Sequence, residues 1–242
     1  MGKKEKHCDP ADPADARQGD HWDHVAFDPE HRLVVSVVSG KRTSDNTREL
    51  VQDFQRRTGG RIPRLITTDE YAPYETEILT AYGQEITPPP TGRPGRPREP
   101  DQVPPPELTY ATVHKTRENG RVVHIDYRLI FGTALALAAA LLASRVSRAV
   151  NTAFIERHNG TDRNRNSRKV RKTYGFSKDW DVHRAVTYFT MYSYNFCWTV
   201  RTLRDKGTDG RWRQRTPAMA AGLTDRVWSL NEWLTYPAVQ RK

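Results

Sequence analysis

Between Thr87 and Pro106 stand nine of the chain's 16 prolines, with Arg93, Arg96 and Arg98 among them. Proline fixes φ and carries no N–H, so such a stretch neither crosses a sheet nor continues a helix. Residues 87–107 therefore read as an extended, polyproline-like insertion. The folded body has to be built from what lies on either side.

Before the insertion, residues 1–19 hold several Asp and Ala with Pro10 and Pro13, and read as a flexible arm. His21 to Phe27 and His31 to Ser39 are β-prone runs joined by the turn sequence Asp28-Pro29-Glu30, which predicts a hairpin. In the second run Leu33, Val35 and Val37 share one face and Val34 and Val38 the other, as in a strand covered on both sides. Thr43 and Ser44 offer caps for a helix over Asp45 to Arg57, with Leu50, Val51 and Phe54 on one stripe and Gly59-Gly60 as the stop. Ile62 to Thr68 reads as a strand giving way at Asp69 to a helix through Tyr82. Strand, helix, strand in this order predicts an α/β fold.

After the insertion, Leu108 to His114 and Val122 to Ile130 flank Glu118-Asn119-Gly120, a second hairpin signal. Helices are predicted over Thr133 to Ala143, around Ile155, and over Val182 to Leu203. In the last of these Val182, Val186, Phe189, Tyr192, Phe196, Val200 and Leu203 recur at helical spacing, and with Cys197 and Trp198 they read as packing. Leu129 to Ala143 is apolar but interrupted by Gly132 and Thr133 and ends at Arg145, short of the ~20 residues of a membrane span, so it reads as a buried, Ala-rich helix. Thr216-Pro217 and Ser229 with Glu232 carry helix-start signals. The body thus runs from 20 to 206, and a helical tail from 207 to 242.

Charge narrows the function. Of 242 residues, 39 are Lys or Arg and 29 Asp or Glu, a net +10, while the hydrophobic share is 36%. A small core under a basic surface fits a polyanionic partner such as nucleic acid. Cys8 and Cys197 are too few for a disulfide scaffold or a Cys-rich zinc finger.

Three groups of residues compete for the chemistry. Asp69, at the C-terminal end of a strand, lies where α/β folds place their sites, and equally where a helix takes its N-cap. Glu156 precedes a basic run in which Arg157, Arg163, Arg165, Arg168, Lys169, Arg171 and Lys172 face one acid, Asp162. If helical, Glu156, Asn159 and Arg163 stack on one strip, a surface suited to metal and phosphate, and the run reads as a DNA-backbone contact rather than a merely solvated face. Asp20-His21-Trp22-Asp23-His24 offers four potential metal ligands, yet a strand would send them to opposite faces.

At Asp69 and Glu156 the chain resembles the DDE transposases of bacterial insertion sequences, nearest the class named for insertion sequence one. The resemblance rests on Gly19-Asp20-His21-Trp22 through Ala26-Phe27-Asp28, Leu33 to Gly40, Ile66-Thr67-Thr68-Asp69, and above all Asn151-Thr152-Ala153-Phe154-Ile155-Glu156-Arg157-His158-Asn159. Tyr174-Gly175-Phe176-Ser177-Lys178 and Thr216-Pro217-Ala218-Met219-Ala220-Ala221-Gly222 add to it. It implies a ribonuclease-H-like mixed sheet flanked by helices, with Asp69 and Glu156 as catalytic, metal-holding carboxylates for Mg²⁺ (or Mn²⁺). It implies Arg163 on the DNA end and Asn159 in support. It further implies Mg²⁺-dependent cleavage and transfer of double-stranded DNA at element ends, a homo-oligomeric complex, no membrane, and a cytoplasmic, nucleoid-associated place in a bacterium.

The family's first aspartate sits in a stretch resembling Asp-Glu-x-Trp-Ser-Phe-Val-Gly-Lys-Lys, and this chain opens at Met1-Gly2-Lys3-Lys4. The expectation is that the central strand and its aspartate are missing, with Asp20 the better replacement ligand and Asp28 committed to a turn. A marginal, aggregation-prone product would follow from the unpaired neighbours of the lost strand. Two alternatives stay open: a catalytically inactive DNA-binding fragment, and a metal hydrolase built on Asp20 to His24.

Overall fold

A computed structural model describes residues 4–9, 11–15, 17–88, 99–170 and 174–237. The first elements are β1 (Trp22–Asp28), β2 (Leu33–Gly40), α1 (Ser44–Arg57), β3 (Ile66–Asp69), α2 (Pro73–Tyr82), β4 (Gln84–Ile86) and β5 (Asp101–Val103). Then come β6 (Tyr110–Glu118), β7 (Arg121–Phe131), α3 (Ala134–Ala143), α4 (Ala153–Arg165) and α5 (Trp180–Cys197). The tail holds β8 (Asp205–Lys206), β9 (Trp212–Arg213), α6 (Pro217–Ala220) and α7 (Leu230–Thr235). The architecture is mixed α/β, and the described strands form four small sheets, β1–β2, β3–β6–β7, β4–β5 and β8–β9. No single five-stranded sheet occurs among the described residues. The chain divides into two compact units, Met1–Lys41 with Ile155–Lys242, and Arg42–Phe154.

In the first unit β1 and β2 pair antiparallel from Trp22↔Gly40 to Asp28↔Leu33. The turn closes because the Asp28 carboxylate accepts from the N–H groups of Glu30 (2.8 Å) and His31 (3.4 Å). β2 is covered on both faces: the register slips at Val35, so Val34 is buried on the same face as Val37 and Ser39, while Ser36 and Val38 are buried on the other. Its apolar side packs on Met191 and Tyr194 of α5. That helix starts at Asp179, whose carboxylate accepts from the Val182 N–H, and ends at Cys197, short of the expected Leu203. Its buried line is also displaced from the expected apolar stripe. His183, Thr187, Met191 and Asn195 are buried, while Val182 and Phe189 are exposed. The stripe instead meets the tail, Phe189 against Trp233 and Phe196 against Trp228. Both tail signals hold: Thr216 accepts from Met219 N–H and Ser229 from Glu232 N–H. The arm touches this unit as well, through Glu5 to Lys41 and Arg17 to Asp181.

In the second unit Thr43 caps α1, accepting from the Asn46 N–H, and Gly59 and Gly60 end it at φ 64° and 74°. The expected strand–helix–strand with parallel pairing is made by β3, α2 and β6, not across α1, for β3 runs parallel to β6 from Ile66↔Tyr110 to Asp69↔Val113. β6 pairs antiparallel with β7 across Asn119 (φ 47°) and Gly120 (φ 78°), the two positive-φ residues of the Asn-Gly turn. Tyr110 and Leu108 join Val51, Ile78 and Tyr82 of α1 and α2 in one core. Ala111 and Val113 join Leu137 and Val150 in another. Each Val, Leu or Ile among them contributes about 1.5–3 kcal/mol on burial.

Two expectations change here. α3 is not a buried helix: Leu137 is buried, but Leu135 is 81% and Leu142 73% exposed, because one line of the helix reaches the sheet. No helix among the described residues is long and apolar enough to cross a membrane. The end of the proline insertion is also not purely extended coil, since β5 pairs antiparallel with β4. Residues 89–98, its centre, lie outside the described residues.

Candidate functional site

Asp69 ends β3 with an exposed carboxylate. The Arg42 guanidinium lies 2.9 Å from its Oδ2, and the Tyr71 N–H donates to Oδ1 at 3.4 Å. Arg42 in turn lies over the Tyr71 ring (4.3 Å), and the Tyr71 hydroxyl donates to the Arg42 carbonyl. Asp69 is not the cap of α2. That position belongs to Ala72, which makes no side-chain cap bond, and Pro73 begins the helix without needing one. Of the two readings of Asp69, the helix cap is therefore removed. Around it, burial and the Asp69 charge push the Tyr74 hydroxyl far up, and burial pushes that of Tyr110 up to about 12.

Glu156 and its neighbours fall in the other unit. α4 runs through Arg163, so Glu156, Asn159 and Arg163 do lie on one strip. Glu156, Arg157 and Arg163 are exposed and Asn159 half-buried. Arg168 is exposed too, and lines a groove with Ser167, Tyr174, Phe176 and Lys178. Arg171 and Lys172 lie outside the described residues.

Two of the expected DNA contacts face inward instead. The Lys169 ammonium is 2.6 Å from Asp162 and 2.8 Å from Asp23, with its side chain 7% exposed. Two buried carboxylates outcompete a solvent-borne phosphate for that charge. Arg165 lies over the rings of Tyr194 (4.6 Å) and Trp198 (4.2 Å), and burial lowers its pKa. Its planar guanidinium is engaged by aromatic faces.

Of the Asp20–His24 ligands, the side chains of His21, Asp23 and His24 are committed elsewhere. The Asp20 N–H donates to Glu5 (3.1 Å), and the Asp20 side chain is exposed. His21 contacts the Gly19 carbonyl and the Trp180 ring, and His24 the Lys41 carbonyl. Asp23 accepts from Ser39 and lies 3.8 Å from His183. Burial alone would raise the Asp23 pKa, but His183, Lys169 and Ser39 outweigh it and hold the carboxyl well below its usual range.

This ion cluster of Asp23, Lys169, Asp162 and His183 was missed by sequence reasoning. Its one local sign is Asp162, the lone acid of the basic run. Carboxylate oxygens suit Mg²⁺, but a two-ion site takes more than two of them. Among the described residues no group of three or more His, Cys, Asp or Glu is placed to hold a metal ion. Asp69 belongs to the Arg42–Phe154 unit and Asp20 and Glu156 to the other.

No protein-family model, no curated protein and no solved structure matches the chain.

Proposed function

We propose that this chain is the catalytic-domain portion of an insertion-sequence transposase that binds double-stranded DNA at element ends along α4. One observation carries the reading: the strip of Glu156, Asn159 and Arg163 on α4, its two charged ends exposed, with Arg157 on the same helix and Arg168 just after it exposed as well. Guanidinium groups there grip phosphate oxygens, while the carboxylate at the start of the strip points to chemistry on the same strand. Asp69, at the end of a parallel strand and held by Arg42, is the second catalytic carboxylate, and Asp20 the candidate third metal ligand. With Mg²⁺ (or Mn²⁺) bound, such carboxylates would support in-line displacement at a phosphodiester. The described residues do not by themselves complete that metal site.

A second reading, a catalytically inactive DNA-binding fragment of a transposase, is favoured by that incomplete donor set. A nicking assay on element-end DNA separates the two. Mg²⁺-dependent product that is lost in Asp69→Ala and in Glu156→Ala supports the enzyme. Salt-sensitive binding with no product supports the fragment. Neither binding nor product contradicts both.

A further inference from the structure

β7 is the outer strand of the β3–β6–β7 sheet, and among the described residues no strand pairs with its far edge. It is eleven residues long, and residues 121–128 are exposed throughout. Ile125 (57%) and Tyr127 (55%) lie on the face that carries Val113, Ala111 and Leu129. The apolar face under α3 thus continues outward beyond the helix, uncovered. A long edge of this kind is a template for another strand. The Tyr127 N–H is met by the carboxylate of Asp126, its own neighbour, at 2.7 Å. An edge amide takes such a contact when no strand receives it.

We propose that the occupant of this edge is β7 of a second copy, paired antiparallel about a two-fold axis at Tyr127, giving a continuous six-stranded sheet. The sequence of the strand selects that axis. Two irregularities break the β6–β7 ladder, leaving Val123 and Ile130 without register partners, so the regular run is 124–129. Side chains alternate faces along a strand, so a residue and its opposite number must share parity. An axis at Asp126 would oppose two carboxylates, and one at Arg128 two guanidiniums. An axis at Ile125 would set the irregular Val123 against Tyr127. An axis at Tyr127 places Asp126 opposite Arg128 of the second copy twice, and Ile125 opposite Leu129 twice, with Tyr127 on itself. Charge pairs fall on one face and apolar pairs on the other, the arrangement that stabilises cross-strand neighbours. The Tyr127 amide then finds a carbonyl, and the Asp126 carboxylate is released to Arg128 of the second copy. A nucleic acid fits this face less well, because the row of Ile125, Tyr127 and Leu129 carries no positive charge to meet a phosphate backbone.

The test uses the full chain without DNA or metal, so its outcome is independent of the transposase reading. Sedimentation velocity should show a concentration-dependent dimer. Asp126→Arg should weaken it about tenfold or more, and adding Arg128→Asp should restore it. In a background with Cys8→Ser and Cys197→Ser, Tyr127→Cys should cross-link to itself on mild oxidation. Opposed residues of an antiparallel pair are roughly 4.5–5.5 Å apart at Cα, within disulfide reach. Ile125→Cys alone should not cross-link, whereas Ile125→Cys with Leu129→Cys should. A monomer at every concentration overturns the proposal. So does self-cross-linking at Ile125→Cys, or a monomer whose DNA affinity falls with Tyr127→Ser.

Discussion

The side-chain amide of Asn195 satisfies both backbone groups of Val34: its Oδ1 accepts the Val34 N–H at 3.0 Å and its Nδ2 donates to the Val34 carbonyl at 2.8 Å. Asn195 is 4% and Val34 2% exposed, so water cannot take over either bond. A helix side chain thus stands in for the missing neighbour of a buried sheet edge. Asn195→Ala leaves two buried backbone groups without partners, each worth about 1–3 kcal/mol. Urea unfolding should show a loss of about 2–5 kcal/mol, with Asn195→Asp also destabilised because the donor to the carbonyl is gone.

Lys169 joins Asp162 to Asp23 in the interior of the same unit. Breaking a buried pair from one side leaves uncompensated charge, so Lys169→Met should cost about 3–5 kcal/mol near neutral pH. The sign with pH is distinctive. In the native chain the depressed Asp23 pKa contributes stability that is present above the ordinary carboxylate value and lost only as pH falls through its low folded value. Without Lys169 the Asp23 carboxyl is easier to protonate, so the deficit of the variant should shrink as pH falls from about 7 to about 5. Denaturant curves at both pH values check this.

His158 gives a separate pH window. Burial, with the charges of Arg165 and Lys169, lowers its pKa from 6.5 to about 4. The ring stacks on Phe27 (4.8 Å), tilts against Tyr194 (5.0 Å) and lies 3.2 Å from the Met191 sulfur, surroundings that suit a neutral imidazole. The stability it contributes is fully present above 6.5 and drains as pH falls toward 4, about 3 kcal/mol in all. His158→Phe should flatten the stability profile across that window. A native profile already flat between those values would contradict the assignment.

What the sequence disclosed was what short-range bonds decide. Thr43, Asn119-Gly120, Thr216 and Ser229 each act on residues within a turn, and each signal holds. The strip of Glu156, Asn159 and Arg163 was legible because helical spacing alone sets it. The inward turn of Lys169 was not, since it depends on Asp23, far away in the chain. Nor was the polar line of α5, where Asn195 is buried for the sake of Val34, which hydropathy spacing passes over. Arg42 beside Asp69 is likewise a contact across α1 in sequence, with no local sign. The sequence placed the strand–helix–strand one helix too early because spacing shows that strands exist, not which of them pair.

The most direct test of DNA binding along α4 is the salt dependence of affinity for element-end DNA, native chain against Arg157→Ala/Arg163→Ala/Arg168→Ala. Each phosphate contact contributes about 0.9 to the slope of log K against log salt. The native slope should be steeply negative, and the triple variant should flatten it by roughly 3 units while its unfolding midpoint stays near native, since all three side chains are exposed. An unchanged slope, or affinity indifferent to salt in the native chain, would contradict the account.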